Sequence, residues 1–164
     1  MSDEYYDVTA QGYDELYGAE QKKKLDLIIN RLAGSLPARR DSLLDVGCGS
    51  GISTAVWNCC AAGVDPSSAL ILLAKKKYPK IDFIVGTAEF LPFPDASFDW
   101  VISLTALQNF SSPRDGLIEI SRVAKGKVII SFLKQSPKAD LLRKLISEIF
   151  VVADILDEEK DWCF

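Results

Sequence analysis

The chain has 164 residues, of which 48% are hydrophobic and 26% charged, the proportions of an ordinary globular domain. This composition excludes a disordered tail, a collagen-like fibre and a coiled coil, and the length leaves room for one domain. A formal net charge of −4 disfavours a nucleic-acid partner, and the lack of histidine excludes histidine-based catalysis and histidine metal sites.

The first predicted elements are a polar arm and a helix. The arm, residues 1–18, holds four of the five tyrosines, and we expect it to close over a ligand site. Leu25, Ile28, Ile29 and Leu32 recur at the spacing of an amphipathic helix. The helix is therefore predicted from Ala19 to Leu32, where Gly34 follows as a stop.

Strands and helices alternate through the rest of the chain. Strands are predicted at 42–46, 61–64, 81–85, 98–104 and 127–132. Helices are predicted to begin at Ile52, at Asp65-Pro66 with Asp65 as the N-cap, at Ser112-Pro113 and at Ser136-Pro137. Two short strands, 151–155 and 162–164, end the chain. The pattern predicts an α/β fold: an open, mostly parallel sheet with helices on both faces and a C-terminal antiparallel strand pair.

The four cysteines are Cys48, Cys59, Cys60 and Cys163. They form no C-x-x-C pair, so we predict no metal site and expect the reduced thiols of a cytoplasmic protein. Apolar runs reach about six residues, short of the roughly 20 of a membrane helix. The acidic N-terminus lacks the apolar core of a secretory signal.

Chemistry is predicted at the strand ends. The first strand runs into Asp45-Val46-Gly47-Cys48-Gly49-Ser50-Gly51, a turn whose glycines let a ligand approach the backbone. The second strand ends at Asp65, where an acid suits the two hydroxyls of a ribose. A dinucleotide fingerprint needs glycine at position 52, where Ile52 stands, so a nicotinamide oxidoreductase is disfavoured.

These segments resemble a known family. LLDVGCGSGIS with GVDPS is similar to the first two motifs of class I S-adenosylmethionine-dependent methyltransferases, which are Rossmann-like. GTAEFLPFPDASFDWVIS resembles the third segment of that family, and YDVTAQGYDELY resembles the arm of its ubiquinone/menaquinone-biosynthesis type. The resemblance covers nearly the whole chain in order and implies an arm, residues 1–18, before a methyltransferase domain, residues 19–164.

The resemblance implies S-adenosyl-L-methionine as the cofactor and names the residues that would hold it, but no general base. The implied cofactor-binding residues are Tyr13, Asp45, Gly47, Cys48, Gly49, Gly51, Asp65, Pro66, Thr87, Ala88, Glu89, Ser103 and Leu104. In the family, position 87 is usually an aspartate that accepts from the adenine amino group. A threonine accepts one hydrogen bond without charge, so adenine recognition would be weaker or would shift toward Glu89.

The methyl acceptor is predicted to be a small molecule, with Gln108 and Asn109 near it. Thr105-Ala106-Leu107-Gln108 is not an N-P-P-Y motif, which argues against amino-group methylation of DNA or glutamine. Two alternatives stay open. One is an RNA or protein methyltransferase that acts with a partner subunit. The other is a non-catalytic S-adenosylmethionine-binding partner of another enzyme.

Overall fold

The structure is a computed structural model that describes residues 12–164. The helices are α1 (Tyr13–Arg31), α2 (Ile52–Ala55), α3 (Ser68–Lys77), α4 (Pro113–Val123) and α5 (Ala139–Ile149), with a 3₁₀ turn at Leu107–Asn109. The strands are β1 (Ser42–Val46), β2 (Cys60–Asp65), β3 (Asp82–Val85), β4 (Phe98–Leu104), β5 (Ala124–Leu133), β6 (Leu156–Asp157) and β7 (Asp161–Cys163).

All strands join one sheet in the order β3-β2-β1-β4-β5-β7-β6. Strands β1 to β5 pair in parallel, whereas β7 runs antiparallel to both β5 and β6. The predicted fold class is therefore confirmed. The order reverses at β1, which lies between β2 and β4, so the carboxyl ends of these three strands meet at one edge. Ligands of open α/β sheets bind at such a reversal.

The two faces of the sheet bury separate apolar clusters. On one face, α4 and α5 contribute Leu117, Ile120 and Leu142, each fully buried against β1, β4 and β5. On the other face, α1 contributes Leu25 and Ile28, which pack in one cluster with Leu43 of β1 and Ile102 of β4. Because successive strand residues point to opposite faces, β1, β4 and β5 each supply both clusters.

Helix α1 begins at Tyr13, six residues before the predicted start, so it includes the end of the predicted arm. Glu15, Glu20 and Gln21 are good helix formers, and their propensity carries the helix upstream of its apolar stripe. Gly18 is buried, and a Cβ there would meet the Ile52 side chain at 3.7 Å, so the early turns pack on α2. Residues 1–11 lie outside the described part of the chain.

The start of α3 differs from the prediction. Its N-cap is Ser67, whose hydroxyl accepts a 3.2 Å hydrogen bond from the Leu70 N–H, and not Asp65. Asp65 is the last residue of β2, and its carboxylate instead accepts from the Ser67 N–H at 2.9 Å. The Asp65 carboxylate therefore does not cap the helix and lies at the end of β2.

Other boundaries also differ from the predictions, and β5 begins at Ala124, three residues before its predicted start. Helix α5 begins at Ala139 instead of following Ser136-Pro137 directly, with Lys138 as its N-cap residue. Strand β6 is Leu156–Asp157, and not 151–155, because the tight turn to β7 pairs the residues nearest to it. Ser112 caps α4 as predicted, with proline at the start of the helix.

The segment between β3 and β4 is a loop without a helix, as predicted, and one side chain holds it. The Arg122 guanidinium donates to the backbone oxygens of Leu91 and Phe93 at 3.1 and 2.8 Å. It also pairs with Asp95 and Glu119 at 2.8 and 2.6 Å. These two carbonyl groups lie outside any helix or strand, and the bonds from Arg122 give them hydrogen-bond partners. A buried carbonyl without a partner would destabilise the fold.

Candidate functional site

The glycine-rich turn after β1 lies over the end of β2. The N–H groups of Gly47 and Cys48 both donate to the Val64 oxygen, at 2.8 and 3.1 Å. Gly51 then precedes α2, and its N–H donates to the Cys48 oxygen at 3.0 Å. The turn is thus closed on itself and attached to β2 at the point where the strand order reverses.

Gly47 has no room for a side chain. Its φ of +78° is in the left-handed region, and a Cβ would lie 2.4 Å from the Cβ of Ala106. Ala106 follows β4, so the turn after β1 and the turn after β4 touch at this glycine. Only glycine allows both the conformation and the approach.

Asp65 binds the turn from the neighbouring strand. One carboxylate oxygen accepts from the Gly49 N–H and the other from the Ser67 N–H, each at 2.9 Å. The residue is 8% exposed and faces the cavity described below. A carboxylate oxygen is the kind of acceptor that binds ligand hydroxyls.

Asp45 is a buried carboxylate with an unfilled acceptor. Its Oδ2 accepts from the hydroxyls of Ser53 and Thr54, at 2.6 and 2.8 Å. Among the described residues, nothing donates to its Oδ1, although that atom is buried. Desolvation by burial raises the pKa of Asp45 from the ordinary 3.8 to about 6. A cationic donor next to Asp45 would favour the ionised carboxylate and so offset the effect of burial on its pKa.

A cavity of about 80 Å³ opens between these turns. Predicted residues that line it are Gly47, Cys48, Asp65, Pro66 and Leu104. The predicted acceptor-side residue Asn109 lines it too, together with Gln21, Ser50, Ile52, Ser53, Leu70, Thr105, Ala106 and Phe110. Pockets for small ligands usually exceed about 300 Å³, so a nucleoside-sized cofactor requires the walls to open.

Several predicted residues do not line this cavity, among them Asp45, Gly49 and Gly51. Thr87 is exposed and Ala88 belongs to the core under α4. The Glu89 carboxylate accepts from the Ser112 N–H at 3.0 Å, at the start of α4. Ser103 is buried on the face of β4 opposite to Leu104.

Three more predicted residues are placed as follows. Tyr13 is in the first turn of α1, but its side chain is outside the described residues. Gln108 faces its own turn, where its amide donates to the Thr105 oxygen at 2.8 Å. Burial raises the pKa of the Cys48 thiol, so Cys48 is a packed thiol and not an activated nucleophile.

The cavity residues that the sequence reasoning missed carry different signals. Thr105 and Ala106 directly follow β4, a neighbour of β1, so the strand-end rule could have found them. Gln21 gives no such signal, because it reaches the cavity only through the packing of α1.

A larger cavity, of about 450 Å³, lies away from the strand-end chemistry. Its walls are the end of α1, the first half of β5 and residues 150–154, and they are mostly apolar. Two of its charged residues, Arg31 and Asp154, are paired with each other at 2.6 Å, and the third, Lys127, lies over the Trp100 ring. The smaller cavity is therefore the candidate site, since it joins the buried carboxylate of Asp65 to the glycine turn and is lined by Ser53, which donates to Asp45. Within residues 12–164, no cluster of metal-ligating side chains is present.

Comparisons with known proteins identify the family of the chain. A methyltransferase-domain family model matches residues 44–132. The chain is 36% identical over 129 residues to the uncharacterized protein MJ1252 of Methanocaldococcus jannaschii, covering 79% of this chain and 49% of that protein. It is 33% identical over 133 residues to a demethylmenaquinone methyltransferase of Renibacterium salmoninarum, covering 77% and 53%.

A solved structure is also similar. It is the complex between the Haloferax volcanii Trm112 methyltransferase activator and a methyltransferase, with 26% identity and a TM-score of 0.64 over 77% of this chain and 59% of that one. The chain spans about half the length of the curated relatives it matches. No helix of the described part is long and apolar enough to cross a membrane. The chain belongs to the methyltransferase-domain family, the class I S-adenosylmethionine-dependent methyltransferases, whose cofactor is S-adenosylmethionine.

Proposed function

We propose that this chain transfers the methyl group of S-adenosylmethionine to a small aromatic acceptor of the quinol class. The observation that carries the proposal is the pair of buried carboxylates, Asp45 and Asp65, on either side of the glycine turn. The demethylmenaquinone methyltransferase relative supports the acceptor class.

The residues present fit the cofactor. Asp65, which lines the cavity, would hold the ribose hydroxyls. Asp45, with its unfilled Oδ1, would hold the ammonium of the methionine part once the cavity walls open. The turn at Gly47, which lines the cavity, would pass beneath the methionine part. When bound, S-adenosylmethionine supplies a methyl group on a sulfonium, which is already a strong electrophile.

The chain contributes orientation and exclusion of water. Leu104, Ala106 and Phe110 form an apolar wall beside the glycine turn, suited to the face of a planar ring. Holding two reactants in line can supply about 7–11 kcal/mol of a barrier. The acceptor loses one proton as the new bond to the methyl carbon forms. We assign no residue of this chain to that proton.

We extend the proposal to the arm and to the location. Residues 1–18 would cover the site after the cofactor has bound and would exclude water from the reacting methyl group. A cytoplasmic location is supported by four cysteines that are all free.

A labelled-methyl assay tests the proposal. The purified chain is incubated with methyl-labelled S-adenosylmethionine and, separately, with demethylmenaquinol in detergent, total RNA, or a protein extract. We expect label in the quinol and none above background in RNA or protein. The variant Asp65→Ala serves as the inactive control, and Asp82→Asn, which removes an exposed carboxylate, as the active one. Label in RNA or protein alone would overturn the acceptor class.

A second candidate is that the chain acts with a partner protein on a macromolecule. It is favoured by the similarity to a methyltransferase in complex with the Trm112 activator. The acidic charge of this chain does not attract RNA, so a basic partner subunit would have to supply that contact. Adding a purified archaeal Trm112 protein to the RNA and protein arms of the assay tests this. Label that appears only after the addition supports the second candidate.

A further inference from the structure

A buried polar cluster lies next to the cofactor site, and the fold alone does not account for it. Lys24 of α1 pairs with Asp161 of β7, and both side chains are at most 5% exposed. The ammonium of Lys24 also donates to the Thr105 hydroxyl. That hydroxyl donates in turn to Asp161 at 2.9 Å. Three elements distant in sequence thus converge on Thr105.

The cluster is expensive for stability. Thr105 has a φ of +56°, a left-handed conformation that is strained for a β-branched residue. A buried ion pair often stabilises a fold no better than apolar residues of similar volume. Asp161 Oδ1 is buried, and no described residue donates to it. Strain and unsatisfied polar groups concentrated at one point are typical of functional sites.

The buried pair differs from the other ion pairs between α1 and the C-terminal segment. Lys23–Glu159, Arg31–Asp154 and Glu20–Lys160 also join these regions, but their side chains are 44 to 74% exposed. Exposed pairs of this kind contribute little. Of these four ion pairs among the described residues, Lys24–Asp161 is the buried one, and its two side chains both bind the Thr105 hydroxyl.

A chain of contacts runs from the cluster to the cofactor turn. The Thr105 N–H is held by the Ser131 oxygen and hydroxyl, at 3.0 and 2.9 Å. The next residue, Ala106, contacts Gly47 so closely that a Cβ on Gly47 would lie 2.4 Å away. The backbone position of Thr105 and Ala106 therefore limits where the glycine turn can lie. Lys24 is also one helical turn after Gln21, which lines the same cavity.

We propose that Lys24, Asp161 and Thr105 are positioning residues that hold the Thr105–Ala106 turn against Gly47 and so set the shape of the cofactor site. The inference rests on the cofactor site of the proposed function but not on its acceptor. Thr105 contributes through its hydroxyl, which both other members of the cluster bind. Removal of that hydroxyl frees the turn after β4 and lets the glycine turn move with it.

Calorimetric titration with S-adenosylhomocysteine, the demethylated cofactor, tests the inference without an acceptor. We expect Thr105→Val, which keeps the shape of the side chain, to bind about tenfold more weakly or worse, as misplaced site groups commonly cause. Thr105→Ser, which keeps the hydroxyl, should restore most of the affinity. The matched control is Lys23→Met, which breaks an exposed pair between the same two regions and should change the affinity by less than about twofold.

A second variant separates positioning from stability. Lys24→Met with Asp161→Leu replaces the whole ion pair by apolar side chains, a change that buried pairs often tolerate. We expect this variant to unfold near the wild-type temperature and to bind S-adenosylhomocysteine as weakly as Thr105→Val. Wild-type affinity in both Thr105→Val and the double variant overturns the inference. A wild-type chain that binds no S-adenosylhomocysteine overturns the proposed function and the inference with it.

Discussion

Asp45→Asn should make the ligand-free protein more stable and the cofactor complex weaker. The carboxylate is fully buried, and its Oδ2 is held by the hydroxyls of Ser53 and Thr54. An asparagine has the same shape, so its oxygen can keep both hydrogen bonds while its NH₂ takes the place of Oδ1. The substitution therefore removes a charge and leaves the packing unchanged.

The magnitude follows from the pKa of Asp45. Burial raises that pKa from 3.8 to about 6, so ionised Asp45 lowers the free energy of unfolding by about 3 kcal/mol above pH 7. The buried amide NH₂ of the variant costs about 1–3 kcal/mol if it finds no partner. We therefore expect Asp45→Asn to raise the free energy of unfolding by up to about 2 kcal/mol. Loss of a charge-assisted hydrogen bond to the cofactor ammonium, about 1.5–3 kcal/mol, weakens binding by about 10- to 100-fold.

Two measurements at pH 7.5 check this prediction. Urea unfolding gives the stability of the ligand-free protein, and calorimetry with S-adenosylhomocysteine gives the affinity. Asp82→Asn is the matched control: its carboxylate is exposed, so its stability should change by less than about 0.5 kcal/mol and its affinity hardly at all. An Asp45→Asn protein that is less stable and binds with wild-type affinity would refute the reasoning, because the charge would then serve the fold.

The remaining predictions concern the same turn. As the pH rises from about 4 to about 7, wild type should lose stability relative to Asp45→Asn, because the folded-state pKa of Asp45 is the higher one; a pH series of urea unfolding measures this, and a gain would contradict it. Asp65→Ala should weaken S-adenosylhomocysteine binding by about 1–3 kcal/mol. It should also lower the free energy of unfolding, since the N–H groups of Gly49 and Ser67 lose their acceptor. Wild-type affinity in calorimetry would show that Asp65 stabilises the turn and does not bind the cofactor. Gly47→Ala should lower the unfolding temperature, and adding Ala106→Gly should restore part of it, because the new Cβ meets the Cβ of Ala106; an unchanged unfolding temperature in the single variant would count against the close contact.

The strand-end chemistry was predictable because it depends on local sequence. Strands β1 and β4 occupy the predicted residues, and the glycine turn and Asp65 lie where strand ends meet. The wrong prediction at the start of α3 was also local. Both Asp65 and Ser67 are good capping residues, and the sequence alone did not show which of them caps the helix. The packing of β2 against the glycine turn decided it, because Asp65 binds the Gly49 N–H instead.

By itself, the sequence determined the alternation of strands and helices, the glycine turn and the two acids that flank it, because each follows from periodicity and turn chemistry over a few residues. Only the tertiary structure decided what lies across from them. Ala106 against Gly47, Gln21 in the cavity wall and the Lys24–Asp161–Thr105 cluster join residues up to 137 positions apart. Such contacts depend on how the helices and strands pack, and packing is a property of the whole chain that no short pattern records.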